Sequence, residues 1–208
     1  MKLFFADTET TGLDPVRNEA FQLAFIIEVD GKVVCEKNIK LRPVRPETAD
    51  AKALEVTQKT LKELAGYPPR ADGFKELTET LAQYVDRYDK NDKLTWVGQN
   101  PEFDVRFVRQ LFKEHGDNYF GSWFDSRPAD LISLAVASRV KGLINPENFK
   151  LGTLAAQFGI KFDAHDALED VRVTREVWAR LSAFLQPVKG TAVPVQADLF
   201  DILKDQKA

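Results

Sequence analysis

The stretch that decides the fold is residues 3–12, LFFADTETTG, near the start of the chain. Its first four residues are apolar and predict a buried strand that ends in Asp7 and Glu9. Because side chains two residues apart on a strand point to the same side, the two carboxylates lie next to each other. Such a pair is unfavourable unless a cation lies between the charges, and hard divalent ions prefer carboxylate oxygen. The alternative is a hydrated strand end that happens to contain Asp and Glu.

The composition is that of an ordinary soluble protein, with 44% hydrophobic and 29% charged residues among 208. This length suits one domain with a short appendage. No apolar run approaches the roughly 20 residues of a membrane span, and no signal cleavage site follows the start, so we predict a cytoplasmic protein without a membrane partner. The single cysteine, Cys35, excludes an internal disulfide. The net charge of −3 argues against a globally basic nucleic-acid-binding protein.

The hydrophobic pattern predicts an α/β domain that begins with antiparallel strands. Residues 20–29 and 33–41 form the second and third strands around the hairpin signal Asp30-Gly31. Further on, Asn100 and Asp166 are typical helix caps. The remaining expected elements are two short helices within residues 51–64, strands at 94–97 and 123–125, and helices at 73–88, 101–114, 128–140, 151–158 and 167–184. Strands that alternate with helices predict a mixed sheet over residues 1–185.

Two further acidic residues lie where packing alone would not require them. Asp104 is on the inner side of its predicted helix, and Asp170 is in the first turn of the last helix. Each has a simpler explanation, because Asp104 suits a salt bridge and Asp170 suits a helix N-terminus. With Asp166 as the cap, His165 lies just outside that helix and can reach over the same site as a proton acceptor. The other histidine, His115, is interpreted as an exposed helix end.

The acidic residues belong to three motifs, which are DTETTG at residues 7–12, NPEFD at 100–104 and HDALED at 165–170. In this order the motifs resemble those of the DnaQ-like exonucleases of the DEDDh type, a family that includes proofreading subunits of bacterial DNA polymerases. The resemblance implies a ribonuclease H-like fold, in agreement with the predicted α/β sheet. It also implies that two divalent ions, Mg²⁺ or Mn²⁺, bind to Asp7, Glu9, Asp104 and Asp170, with His165 as the general base.

The activity implied by this resemblance is 3′→5′ hydrolysis of DNA from a single-stranded 3′ end, releasing nucleoside 5′-monophosphates in proofreading or repair. An RNA-trimming enzyme of the RNase T or oligoribonuclease type shares the ligand set and stays an alternative. A non-catalytic nucleic-acid-binding or clamp-binding module is an alternative of another class. By resemblance, substrate contacts are expected from Thr8, Thr10, Gly12, Leu13, Asn100 and Phe103, although Leu13 and Phe103 equally fit the core.

Two positions depart from the family pattern. Gln99 is found where a His often precedes the Asn, and Gln22 is found where many members have Glu. Neither is a direct ligand in the family, so we expect altered tuning rather than loss of activity.

The composition changes after residue 185, where Pro, Gly and small residues predict a linker over the start of 186–208. The sequence QADLF at residues 196–200 resembles the peptide with which bacterial polymerases and repair proteins bind the sliding clamp. Gln196 would then hydrogen-bond to the clamp while Leu199 and Phe200 fill an apolar pocket. The alternative is that these residues fold back on the domain as a short helix. A DNA polymerase is a further predicted partner.

Overall fold

The structure is a computed structural model, and it describes residues 1–161 and 166–184. Its centre is a five-stranded mixed sheet made by β1 (Lys2–Thr10), β2 (Ala20–Val29), β3 (Lys32–Lys40), β4 (Thr95–Gly98) and β5 (Ala129–Asp130). The spatial order is β3-β2-β1-β4-β5, so β1 lies in the middle. β1 pairs antiparallel with β2 and parallel with β4. The predicted α/β fold with a mixed, antiparallel start is confirmed.

Helices cover both faces of this sheet, and the two that pack on β1 carry acidic residues of the site. The described helices are α1 (Ala51–Val56), α2 (Leu61–Ala65), α3 (Arg70–Leu81), α4 (Glu102–Glu114), α5 (Leu131–Val140), α6 (Leu151–Ala156) and α7 (Ala167–Ala183). Helix α4 packs against β1 and β2 on one face, and α7 packs against the same two strands on the other. None of these helices is long and apolar enough to cross a membrane.

Alternation along β1 divides its side chains between the two layers. Phe4 is fully buried in a core cluster that includes Val108 of α4. Its neighbour Phe5 belongs to a separate cluster with Val171 of α7. The same alternation continues to the end of the strand, so Thr8 lies on the α4 side while the flanking acidic residues lie on the α7 side.

Helix α3 differs from the predicted helix over residues 73–88. It begins at Arg70, directly after Pro69, and ends at Leu81. Tyr84 follows in a turn, packs against the main core and donates a hydrogen bond of 3.0 Å to the carbonyl of Val34. Tyr84 therefore continues the helical spacing of apolar residues although it lies outside the helix, and the predicted end of α3 at residue 88 is wrong.

The strand predicted over residues 123–125 is also wrong. Phe124 forms a single isolated bridge with Leu94, and Trp123 and Phe124 are buried by side-chain packing. The fifth strand is instead Ala129–Asp130, which pairs with the end of β4. A two-residue strand is too short to show a periodic pattern. The apolar residues at 123–124 resembled a strand more closely, so the prediction was made there.

The prediction that Asn100 caps α4 with its side chain is wrong. The cap position is Pro101, which makes no side-chain hydrogen bond, and Asn100 has a positive φ of 56°. The Asn100 N–H donates to Oδ1 of Asp130 at 3.1 Å. Asn tolerates the left-handed region better than most residues, so it serves the turn before α4 rather than the helix itself.

Candidate active site

Three carboxylates converge at the C-terminal end of β1. Oxygens of Asp7, Glu9 and Asp170 all lie within 4.8 Å of one another. Asp7 and Glu9 come from the α7 side of β1, and Asp170 comes from the first turn of α7. The Asp166 carboxylate accepts hydrogen bonds of 3.1 Å from the Leu168 and Glu169 N–H groups, which confirms it as the cap of α7. Three of the four predicted metal ligands are therefore together.

Asp104 reaches this cluster from the opposite layer of the sheet. It lies in the first turn of α4 and is only 4% exposed. Its Oδ1 accepts hydrogen bonds from the Thr8 N–H at 2.9 Å and from the Thr8 hydroxyl at 2.6 Å. Its charge acts on Asp7 but it is not one of the three converging carboxylates. The structure thus places the fourth predicted ligand beside the cluster rather than inside it.

Burial and mutual repulsion disfavour the charged forms of these groups. Burial is the main cause that raises the pKa of Asp7 well above its usual range, and Asp104, Glu9 and Asp170 raise it further. Burial also raises the pKa of Glu9 to about 7, with Asp170 and Asp104 adding to the effect. The pKa of Asp104 rises to about 7 through burial, although the hydrogen bonds from Thr8 act in the opposite direction.

The donor set fits a hard divalent cation. Asp7, Glu9 and Asp170 offer only carboxylate oxygens, which are the ligands that Mg²⁺ and Mn²⁺ prefer. A cation among them would offset the mutual repulsion that, after burial, raises the pKa values of Asp7 and Glu9. The cluster can therefore bind a metal ion, and within residues 1–161 and 166–184 no second group of three such side chains comes together.

A cavity of about 610 Å³ opens beside Glu9. Leu13 on its wall is 76% exposed, which excludes the alternative that Leu13 belongs to the core. Phe103 is half-buried and packs on Phe107 with 4.9 Å between ring centroids. Asn100 is exposed and does not line the cavity. Five of the six predicted substrate contacts do line it, namely Thr8, Thr10, Gly12, Leu13 and Phe103.

The other wall of this cavity comes from α1 and was not predicted from the sequence. Lys52 and Val56 of α1 line this wall, together with the flanking residues Asp50 and Thr57. A Cβ at Gly12 would lie 2.4 Å from side-chain atoms of Asn18 and Asp50, so only glycine fits there. These α1 residues lie in a polar, interrupted segment about forty residues from the first motif, and no local pattern links the two.

The structure shows the surroundings of some of the other residues named in the sequence analysis. The Gln22 side chain donates to Asn38 at 3.0 Å, and the Gln99 side chain donates to the Phe149 carbonyl at 2.5 Å. His115 is the C-terminal cap residue of α4, as predicted, but it is half-buried and stacks on Phe74 with 4.4 Å between ring centroids, so its predicted exposure is wrong. His165 and the predicted clamp contacts Gln196, Leu199 and Phe200 lie outside the described residues.

A family model described as an exonuclease, that of the RNase T family, matches residues 4–178. The chain belongs to this exonuclease family. The match spans all three motifs, and it confirms the resemblance to DnaQ-like exonucleases. The chain is accordingly a nuclease domain by family.

Similar proteins include much longer chains. A DNA polymerase III of the PolC type from Thermotoga petrophila is 25% identical over 198 residues, which are 95% of this chain and 13% of that protein. Protein NEN4 from Arabidopsis thaliana is 28% identical over 183 residues, 85% of this chain and 65% of NEN4. The exonuclease chain thus spans a small part of the PolC-type relative.

A similar solved structure is the zinc-bound complex of E. coli exonuclease I with single-stranded DNA. It superposes with a TM-score of 0.74 at 22% sequence identity, over 98% of this chain and 43% of exonuclease I. At this identity the likeness concerns the fold alone, and it supports the predicted ribonuclease H-like architecture.

Proposed function

We propose that this exonuclease domain hydrolyses DNA in the 3′→5′ direction and releases nucleoside 5′-monophosphates from 3′ ends. The observation that carries the proposal is the convergence of Asp7, Glu9 and Asp170, with Asp104 beside Asp7. The PolC-type relative is a DNA polymerase, and the exonuclease I complex contains single-stranded DNA, which supports DNA as the substrate. We also propose a role in proofreading or repair with a DNA polymerase as partner, which the PolC-type relative supports.

Two divalent ions, Mg²⁺ or Mn²⁺, are the proposed cofactors. Asp7, Glu9, Asp104 and Asp170 would hold them, because these are the carboxylates at the end of β1. When bound, the ions supply an activated water and stabilise charge on the leaving 3′ oxygen. Without them the buried carboxylates repel a phosphate group, so activity is expected to depend strictly on metal.

The remaining steps belong to the protein's own side chains. Leu13, Val56 and Phe103 offer apolar surfaces to the terminal base within the cavity beside Glu9. The hydroxyl of Thr10 donates to the Gly12 carbonyl at 2.7 Å and so holds the loop that carries Leu13. His165 is proposed to remove the proton from the attacking water, on the strength of its position in the third motif.

The proposed domain division assigns residues 1–185 to the exonuclease and 186–208 to a linker and tail. The tail is proposed to bind the sliding clamp through Gln196, Leu199 and Phe200. A clamp partner would help a chain with a net charge of −3 to stay on DNA.

A digestion experiment with matched substrates tests the activity. Single-stranded DNA, a mismatched primer-template and RNA, each labelled at the 5′ end, are incubated with Mg²⁺, Mn²⁺ or a chelator. We expect stepwise shortening of DNA from the 3′ end and loss of activity in the chelator. The variant Asp7→Asn should be inactive, whereas Asp72→Asn, an exposed carboxylate on α3, should be fully active.

Each contrary result identifies one of the alternatives. Faster digestion of RNA than of DNA would replace the DNA assignment with RNA trimming. No release of mononucleotides with either ion would favour a non-catalytic binding module. Full activity of Asp7→Asn would refute the proposed site.

A further inference from the structure

One oxygen of the Asp104 carboxylate is fully occupied within the protein. Oδ1 accepts the Thr8 N–H at 2.9 Å and the Thr8 hydroxyl at 2.6 Å. A carboxylate oxygen has two lone pairs, so these two donors use the capacity of Oδ1. Only Oδ2 of Asp104 is then left to contact a cation.

This contact joins the two layers of the site. Thr8 lies on the α4 side of β1, opposite to the side that carries Asp7 and Glu9. β4 ends at Gly98, and α4 begins at Glu102, so the sheet has a gap beside this end of β1. Asp104 contacts β1 there through Thr8, and the two hydrogen bonds restrain its carboxylate.

We propose that Thr8 is a positioning residue, which fixes the Asp104 carboxylate so that it offers a divalent cation one defined oxygen. The inference rests on the proposed metal-dependent function. It assigns the Thr8 side chain to the protein's own metal-binding frame rather than to the substrate. Both partners are buried, with exposures of 7% for Thr8 and 4% for Asp104, so water cannot easily take over the hydrogen bonds.

The test measures binding of Mn²⁺ to the metal-free full-length protein by titration calorimetry. Thr8→Val keeps the shape and the backbone N–H but loses the hydroxyl donor, whereas Thr8→Ser keeps the donor. The matched control is Thr80→Val, because Thr80 is also a buried threonine and its hydroxyl donates to the Glu76 carbonyl at 2.7 Å, within α3.

Thr8→Val is expected to weaken Mn²⁺ binding by about 10-fold to 100-fold, the usual effect of losing a partner of a metal ligand. Thr8→Ser and Thr80→Val should bind Mn²⁺ like the wild type. In digestion assays, Thr8→Val should raise the Mn²⁺ concentration required for half-maximal rate and leave the KM for an oligonucleotide unchanged.

Unchanged Mn²⁺ affinity in Thr8→Val, or an equal loss in Thr8→Ser, would overturn the inference. A raised KM with normal Mn²⁺ affinity would also overturn it and assign Thr8 to substrate binding. The variant Asp104→Asn distinguishes failure of the proposed role of Thr8 from failure of the proposed metal site. If Asp104→Asn weakens Mn²⁺ binding and Thr8→Val does not, only the role of Thr8 fails. If Asp104→Asn binds Mn²⁺ like the wild type, the proposed metal site fails.

Discussion

Removal of divalent ions should make this protein less stable as the pH rises, and Glu9→Gln should remove much of that effect. The pKa of Glu9 is about 7 in the folded protein and 4.5 in its usual environment. Between these values the folded state binds more protons than the unfolded state, so the free energy of unfolding falls with rising pH. The stabilisation is complete below about pH 4.5 and is lost as the pH passes about 7.

The expected size follows from this difference in pKa. One pKa unit corresponds to about 1.4 kcal/mol, so the interval from 4.5 to about 7 sets an upper value of about 3 kcal/mol. Glu9 is half-buried, and partial solvation reduces the expected loss to about 2 kcal/mol. Asp104 has a pKa of about 7 for the same reason and contributes in the same direction.

Urea unfolding in the presence of a chelator, at about pH 5 and about pH 8, measures this loss. Glu9→Gln should be less sensitive to pH than the wild type by about 2 kcal/mol. Glu79→Gln, which changes an exposed glutamate on α3, should behave like the wild type. Added Mn²⁺ should stabilise the wild type more at about pH 8, because protons compete with the ion at lower pH. Equal pH dependence of the wild type and Glu9→Gln would refute the reasoning.

Three further predictions concern the frame around the site and the tail. Arg70→Met should lower the free energy of unfolding by about 3 kcal/mol, because it removes a buried guanidinium that donates to the Glu114 carboxylate at 2.9 Å and to the Ala20 carbonyl at 2.6 Å. The exposed Lys37→Met should cost under about 1 kcal/mol. A loss below about 1 kcal/mol for Arg70→Met in urea unfolding would contradict this. Gln58 has a φ of 53° just after α1, a backbone conformation that glycine adopts more easily than glutamine. Gln58→Gly should therefore raise the melting temperature through a gain of roughly 0.5–1 kcal/mol in the free energy of unfolding. A lower melting temperature would show that the Gln58 side chain makes a stabilising contact. Alanine at the Gln, Leu and Phe of residues 196–200 should abolish clamp binding in a pull-down and leave digestion of short oligonucleotides intact; unchanged clamp binding would reject the tail motif.

The sequence was informative wherever a short-range pattern has a direct structural meaning. Alternating apolar residues identified β2, and the Asp30-Gly31 signal identified its hairpin with β3, where Asp30 has the positive φ expected for such a turn. The cap at Asp166 identified the start of α7 and, with it, the position of Asp170. The carboxylates stood out because acidic residues at buried positions are costly without a cation.

The rest depends on contacts between distant segments, which no local pattern encodes. The motif identified Asp104 as a ligand, but its hydrogen bonds with Thr8 depend on α4 and β1 packing together across 96 positions. The α1 wall of the cavity, with Asp50 and Val56, was missed for the same reason. Helix α3 was extended too far because Tyr84 packs on the core from a turn and imitates helical spacing.

The separation of the carboxylates along the chain has a consequence for synthesis. Asp7 lies on β1, the first strand of this domain, and is made before Asp170, which belongs to α7, the last described helix. A growing chain on the ribosome therefore carries half of the proposed ligand set long before it can complete it. The proposed site cannot assemble until α7 has been made and has docked on β1, so truncated or half-folded copies of this nuclease should leave nucleic acid intact.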